Sequence, residues 1–316
     1  MRHICDTTNY VCECNRAFDK ETRHPQVSLI DMSGKSSCRN MATDCYAVKV
    51  VSDGCTAGKC GQHYYDFSEA TMTFATPASE IDLRQCGGRM LIFHPDIIRC
   101  TPLGMRIKDF SFFKYHTDEA LHLSCCELKV IGRCLDGIDC ELKWGVDEYS
   151  KAIISNCIEL LLNYCQRFYT RQFITRHEAN TAAIKTVDGI IDGFLRSGKA
   201  ATQSMLTACR IAPELKMSAE YLNDMMKHET GKSVSEYIQL RRILMAKELL
   251  LSTDMTAGDI SSMLGFCAES CFNTVFKKIT AARLMNTATA DDDSKHWGPQ
   301  CHPNAQRTNI PITPNH

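Results

Sequence analysis

The chain has no apolar run approaching the roughly 18 residues that a helix needs to cross a membrane, so no membrane partner is expected. Its opening, Met1–Tyr10, lacks both the basic lead and the apolar stretch of a secretory signal, and the expected location is the cytoplasm. Charge of one sign is missing too. A formal net charge of −1 excludes wholesale electrostatic attachment to nucleic acid or an anionic surface, although not a local patch. Cys-x-x-Cys knuckles are absent among 19 cysteines, which argues against a structural zinc site. Most cysteines read as small apolar fillers with free thiols, and Cys125–Cys126 and Cys267/Cys271 are the pairs open to adventitious oxidation. What remains is ordinary globular composition, 44% hydrophobic and 23% charged, over 316 residues that suit two or three domains.

Residues 1–24 are polar and irregular and read as a disordered lead. From Val27 to Tyr115 short apolar or alternating runs follow at Tyr46–Val51, Thr71–Ala75, Met90–Phe93 and Phe110–Tyr115. Turn signals lie between them at Asp53-Gly54, Gly58, Thr76-Pro77, Gly87-Gly88 and Pro102/Gly104. This pattern predicts a small barrel or sandwich over 25–117. Helical spacing takes over at 118–185, most clearly through Ile153, Ile154, Cys157, Leu160, Leu161, Tyr164, Cys165 and Phe168. That stripe suits a helix packed on the barrel and equally one that also pairs with a second copy. A weaker pattern, Ile184 to Leu195, ends at Ser197-Gly198. Beyond Leu284 periodicity is lost, and Asp291–Asp293 and four prolines predict a disordered tail over 284–316.

Residues 207–283 contain one pattern twice. Ile211, Leu215 and Met217 match Ile260, Leu264 and Phe266 at an offset of 49, and Leu222, Asn223, Met225, Met226 and Lys227 match Phe272, Asn273, Val275, Phe276 and Lys277 at an offset of 50. The one-residue shift falls between two helical patterns, where a turn absorbs it. Each copy therefore reads as helix, turn, helix, and such a unit presents its second helix to the major groove of double-stranded DNA. With Leu222, Met225 and Met226 turned inward, the first copy offers Glu220, Asn223, Asp224 and Lys227. With Phe272, Val275 and Phe276 inward, the second offers Glu269, Ser270, Asn273, Thr274 and Lys277. Asn can pair with adenine through two hydrogen bonds, Glu can accept from cytosine, and Lys can meet guanine or phosphate. Any one of these is also an ordinary solvated side chain.

Between the copies runs Ser233–Ser252, opened by a capping box of Ser233 and Glu236 and apolar on several sides, hence buried on several sides. Its length, roughly 30 Å at 1.5 Å per residue, is close to the ~34 Å between successive major-groove faces. Arg241 and Arg242 on this rod suit phosphate contact or pairing with Glu236 and Glu248. Ten Lys/Arg against nine Asp/Glu over 207–283 imply modest non-specific affinity, with helix N-termini and backbone amides sharing the phosphate contacts.

The stretch Glu214–Lys278 resembles the DNA-binding domain of AraC/XylS-type transcription regulators, through Leu215–Leu222, Lys227–Ser233, Ala246–Leu250, Ile260, Leu264-Gly265-Phe266 and Phe272–Lys278. Upstream, Tyr64–Phe67, Phe93–Asp96 and Leu103–Phe113 look like the cupin-like effector domain of the same family. The resemblance implies an α+β protein: an N-terminal cupin-like β-barrel with flanking helices, then an all-α domain of two helix-turn-helix units joined by a linker helix, over 186–283. It further implies a small-molecule effector, homodimerisation through the helices of 118–185, transcription activation through RNA polymerase, and neither cofactor nor catalysis. Tyr46, Tyr64, Tyr65, Phe67 and Phe74 are the candidate effector contacts, though each also suits barrel core. Three departures stand out. Pro213 falls inside the expected first helix, where an interior proline costs about 3 kcal/mol. Ala281 stands where Gly231 ends the first reading helix, and Ala282-Arg283-Leu284 lacks the family's close.

Three rival readings remain. A metalloenzyme would draw on His63, His94, His116 and His122, but no His-x-His pair with a following Glu is present. A methyl-accepting cysteine regulator would need a compact thiolate cluster, which the N-terminal cysteines do not form. A folded interaction protein with decayed DNA binding would fit Pro213, Ala281 and the thin positive charge.

Overall fold

The computed structural model describes residues 10–33, 40–52, 61–82 and 87–277. The signals at Asp53-Gly54 and Gly58, the position Ala281 and the tail 284–316 lie outside them. Two compact units are present, Met1–Arg241 and Arg242–His316.

In the first unit, helix α1 (Tyr10–Ala17) precedes β1 (Val27–Asp31), β2 (Asn40–Thr43), β3 (Tyr46–Ser52), β4 (Ala70–Ala75), β5 (Ser79–Asp82) and β6 (Gly88–Phe93). Short helices α2 (Pro95–Ile98) and α3 (Pro102–Arg106) lead to β7 (Leu121–Leu123). The sheet is antiparallel in the order β1-β6-β3-β4-β7, with β2-β5 a separate pair. Among the described residues it is therefore an open sheet and not a closed barrel, within the expected α+β class.

Period-two alternation places Leu91 and Phe93 on one face of β6 and Met90 and Ile92 on the other, and both faces are covered. The second face is covered by Val11 and Cys14 of α1, where Asn15 accepts a hydrogen bond from Ser28 at 2.5 Å. The expected irregular lead is thus wrong for Tyr10–Ala17: an apolar sheet face left by a buried strand needs a lid, and these residues supply it. Phe110–Tyr115 is not a strand. It forms 3-10 turns over Ile107–Asp109 and Ser111–Lys114, with a third at Thr117–Glu119. The segment lacks the strict alternation of a strand, since Phe112 and Phe113 are buried in succession, and its rings fill space from a turn as well as from a strand.

The first face receives α4 (Cys125–Trp144), opened by a capping box of Ser124 and Glu127, and α5 (Ser150–Thr175), whose stripe Ile154, Ile158, Leu161, Leu162, Cys165 and Phe168 is buried in the same core. Next come α6 (His177–Arg196), α7 (Lys199–Thr202), α8 (Ala208–Ile211), α9 (Ala219–Thr230) and α10 (Val234–Ser252). Within the first unit, α10 is tied to α6: Tyr237 donates to Asp188 at 2.8 Å, and Arg241 pairs with Asp188 and Asp192. Neither Glu236 nor phosphate is needed to explain Arg241. Glu236 is used instead by the expected capping box, accepting from Ser233 N at 2.8 Å.

The second unit contains the rest of α10, α11 (Ala257–Met263) and helical residues 269–277. The repeat is exact in its backbone chemistry. In the first copy Met217 N donates to Ala212 O and Lys216 N to Pro213 O; in the second Phe266 N donates to Ser261 O and Gly265 N to Ser262 O. All four positions keep the offset of 49, and both closures are Schellman turns. Pro213 costs no helix hydrogen bond, because α8 tightens after Ile211 into a 3-10 turn that has Pro213 in its opening positions. The turn needs a left-handed residue. Gly265 supplies it at φ 74°, whereas Lys216 is forced there at φ 55°.

Lys216→Gly should therefore stabilise the protein by about 0.5–1 kcal/mol, the left-handed strain outweighing the entropy that glycine adds to the unfolded chain. Urea denaturation of the two proteins measures the difference.

Candidate nucleic-acid interface

The second reading helix starts after Ala268, whose carbonyl accepts from Phe272 N at 3.1 Å. Phe272 is buried, with ring centroids 5.2 Å from Phe266 and 5.4 Å from Phe276. Behind it Arg242 stacks 3.7 Å over the Phe266 ring and donates Nε to Leu264 O at 3.0 Å. Burial lowers the Arg242 pKa to about 10, against a smaller opposing effect of nearby Cys267. This anchoring turns all five expected residues outward: Glu269, Ser270, Asn273, Thr274 and Lys277 are exposed. Together they present a carboxylate, two hydroxyls, an amide and an ammonium, although the Thr274 hydroxyl already donates to Ser270 O at 2.8 Å.

The first reading helix, α9, has the same inward side, with Leu222, Met225 and Met226 fully buried. Ser218 caps it by accepting from Tyr221 N at 3.1 Å, and Gly231 ends it at φ 68°. Here the expected contacts are used differently. Glu220 lies 3.6 Å from Lys114, Asp224 accepts from the Tyr115 hydroxyl at 2.8 Å, and Asn223 Oδ1 accepts from Val234 N at 3.2 Å, capping α10. Of the four, Lys227 alone is exposed.

Lys114 and Tyr115 belong to a larger grip by the sheet domain. Glu119, 5% exposed, accepts from Ser218 N at 2.6 Å and from Ser218 Oγ at 2.5 Å, while His116 N donates to the same carboxylate at 2.7 Å. A carboxylate at a helix N-terminus meets unsatisfied amides and the positive end of the helix dipole. Beside it Arg176 donates Nε to Asp66 at 2.9 Å and Nη2 at 2.7 Å, and its Nη1 donates to the Tyr221 hydroxyl at 3.3 Å. Burial opposes the Arg176 charge, but the bonds to Asp66 outweigh it and hold the guanidinium above its ordinary pKa. Burial, then Asp224, likewise push the Tyr115 phenol well above its ordinary value.

The far end of α9 is held by Glu229, which accepts from Asn180 at 2.8 Å and lies 2.7 Å from His177. Burial raises this carboxyl, but the bonds from Asn180 and His177 prevail and its pKa is lowered. These gripping residues were missed by the sequence reading. Ser218 is legible as a helix cap, whereas the bonds from Tyr115 to Asp224, from Ser218 to Glu119 and from Arg176 to Asp66 and Tyr221 carry no local signal, since they join residues 45 to 110 positions apart.

The five candidate effector residues are not brought together. Tyr46 stacks 5.2 Å from Phe93, and Phe74 packs 4.5 Å from Phe112, both within the aromatic core. Tyr65 packs against His63 and Tyr64 in the 61–66 segment, and Tyr64 is 93% exposed. Phe67 lies under the Arg171 guanidinium at 4.6 Å. Among the described residues no group of three or more His, Cys, Asp or Glu is arranged to hold a metal ion, and no helix is long and apolar enough to cross a membrane.

Comparison with known proteins agrees with this geometry. A family model described as a helix-turn-helix domain matches residues 211–288. The probable transcription factor PqrA of Proteus vulgaris is 33% identical over 85 residues, 26% of this chain and 70% of that protein. An uncharacterised HTH-type transcriptional regulator of Bacillus subtilis, YtdP, is 39% identical over 77 residues, 24% of this chain; the chain spans only 10% of YtdP. Among solved structures, the C-terminal domain of the response regulator yesN from Fusobacterium nucleatum is 30% identical, with 29% of this chain and 92% of that one covered and a TM-score of 0.24. ToxT of Vibrio cholerae with a bound unsaturated fatty acid is 13% identical over 80% of this chain and 90% of that one, with a TM-score of 0.27. At those scores the two structural likenesses carry no weight.

Glu119→Ala should destabilise the first unit by about 2–4 kcal/mol, since it strips a buried helix start of a charged acceptor; urea denaturation measures it. Glu229 contributes stability above the ordinary carboxylate pKa of 4.5, and this is lost as pH falls through its lowered folded value. Glu229→Gln should therefore flatten the acid side of a plot of stability against pH below about 4.5.

Proposed function

Because this chain belongs to the AraC/XylS-type transcription regulators, we propose that it is a ligand-responsive activator, binding duplex DNA as a homodimer and contacting RNA polymerase. It is a DNA-binding transcription regulator by family, with helix-turn-helix chemistry and no catalytic role in this reading. Responsiveness to a small molecule is supported chiefly by one observation: residues 114–119 of the sheet domain grip the first reading helix through Glu220, Asp224 and Ser218. A base-reading helix whose polar side chains are already bonded within the chain is not available to base edges. An effector that binds the sheet domain better when the grip is open shifts the chain toward DNA binding by its difference in affinity for the two states. The direction is activation of binding by ligand.

Dimerisation is supported by apolar side chains left exposed around the start of α5 and along it: Trp144, Val146, Tyr149, Ile153 and Leu160. Contiguous exposed apolar residues of this kind mark interaction surfaces. The two reading helices are proposed to read an operator in two parts, about one turn of duplex apart.

Selection from a random duplex library tests the reading, with a two-part motif spaced by one turn as the expected product. Enrichment of no motif would sink it. Asn273→Ala should relax choice at particular base pairs by about 1–3 kcal/mol, and Lys277→Ala should weaken binding evenly across sequences. Asn223→Ala should relax choice by a similar amount and in addition cost about 1 kcal/mol of stability, through loss of the α10 cap. Tyr115→Phe removes one hydrogen bond to a charged acceptor, about 1.5 kcal/mol, and should raise ligand-free DNA affinity up to about tenfold. Unchanged or weaker binding in a titration of labelled operator would exclude the grip as an inhibitory contact.

A further inference from the structure

The one-residue difference between the two copies has a chemical identity. Ser218 follows Met217 directly and opens the first reading helix, whereas Cys267 stands between Phe266 and Ala268, and Ala268 opens the second. The inserted residue is thus a cysteine, immediately ahead of the helix. Four positions on, in the helix's first turn, lies Cys271, where the first copy has Tyr221. Both thiols are exposed, and Cys267 Sγ donates to Cys271 Sγ at 3.3 Å. Close behind, the guanidinium of Arg242 interacts with Cys267, and the helix N-terminus adds further positive potential. The hydrogen bond between the sulfurs holds Cys271 above its ordinary pKa.

We propose that Cys267 and Cys271 form a redox-active dithiol that peroxide converts to a disulfide, switching the second reading helix between two states. The thiolate attacks one peroxide oxygen and the O–O bond breaks. The leaving hydroxide takes up a proton as water, and a sulfenic acid remains. The second sulfur then attacks the first, the S–O bond breaks, and the hydroxyl leaves as water with the second thiol's proton. In sum, two thiols and one hydrogen peroxide give a disulfide and two waters, the two sulfurs supplying the two electrons.

Closing the sulfurs from 3.3 Å to about 2.0 Å ties the residue ahead of the helix to its first turn. Glu269 and Ser270 lie inside that loop, and Asn273 and Thr274 lie on the following turn. Base contacts tolerate little displacement, so the oxidised form binds its operator more weakly. This consequence for DNA rests on the regulator reading above, whereas the dithiol chemistry does not.

The test uses the full chain, treated with hydrogen peroxide and then with dithiothreitol. Trypsin releases residues 248–277 as one peptide, which contains Cys267 and Cys271 and no other cysteine. The expected result is loss of two hydrogens from this peptide, restored by the reductant. Operator affinity should fall at least about fivefold on oxidation and recover in parallel, and Cys267→Ser and Cys271→Ser proteins should keep their affinity. A peptide that keeps its hydrogens, or gains only oxygen, overturns the dithiol. A disulfide formed with unchanged operator binding overturns the switch, as does an equal peroxide response in both serine variants. If the fully reduced protein binds no duplex from the library, the regulator reading fails, and the peptide mass still decides the dithiol.

Discussion

One buried carboxylate organises the first unit. Glu119 is shared between the His116 backbone amide of its own turn and both donors of Ser218, the residue that opens the first reading helix. A carboxylate taken out of water must find donors or cost several kcal/mol, and three donors converge on this one from two parts of the chain far apart in sequence. Helix α9 is in this way also the partner that satisfies the sheet domain's buried charge. Neither side can be moved without leaving a polar group unpaired. That makes the contact two-state in character, because intermediate separations forfeit the hydrogen bonds without admitting enough water to replace them.

The same structural pattern therefore has two uses. In both copies a buried Ile in the first helix, a Schellman turn and an apolar residue at the first inward position build the same frame. The polar sides then diverge. Glu220 and Asp224 meet Lys114 and Tyr115, and Asn223 caps the next helix, while Glu269, Asn273 and Thr274 face solvent. The capping chemistry diverges with them. Thr256 forms a capping box with Asp259, but its counterpart Thr207 faces Arg210 at that spacing and has no side-chain cap. Fold and reading chemistry are separable: inward positions define the frame, and outward positions decide what each copy does.

How much of this was legible in the residues follows from the range of each interaction. The repeat, the one-residue shift, the Ser233–Glu236 box and strands β3, β4 and β6 depend on neighbours a few positions apart, so spacing reveals them. The family followed from the same local patterns. Helix α1 was missed because its reason for folding is a sheet face formed by residues downstream. Phe110–Tyr115 was misread because its aromatic residues, with Phe112 and Phe113 buried in succession, follow no single period. The grip was invisible for the strongest reason: Tyr115 and Asp224 are separated by 109 positions, and each alone looks like an ordinary surface residue. The expected cost of Pro213 was an error of context, since a proline is expensive within an α-helix and harmless at the opening of a 3-10 turn.

The aromatic cluster links the sheet to α9 over a short distance. Phe112 stacks on Tyr169 at 5.4 Å, Tyr115 meets the same ring edge-on at 5.2 Å, and the Tyr169 hydroxyl donates to the carbonyl of Glu119 at 3.1 Å. Tyr169 thus touches the core with its ring and the gripping turn with its hydroxyl. Phe74, from the middle of the sheet, packs on Phe112 and Phe113. These rings are close-packed, and close-packed groups answer an inserted volume by moving together rather than by compressing. Because the tight 3-10 turns Ser111–Lys114 and Thr117–Glu119 are joined by only the two extended residues Tyr115 and His116, displacing Phe112 or Phe113 displaces Tyr115 and Glu119 as well. The path from the sheet to the N-terminus of α9 is therefore no longer than one aromatic ring and one turn of chain.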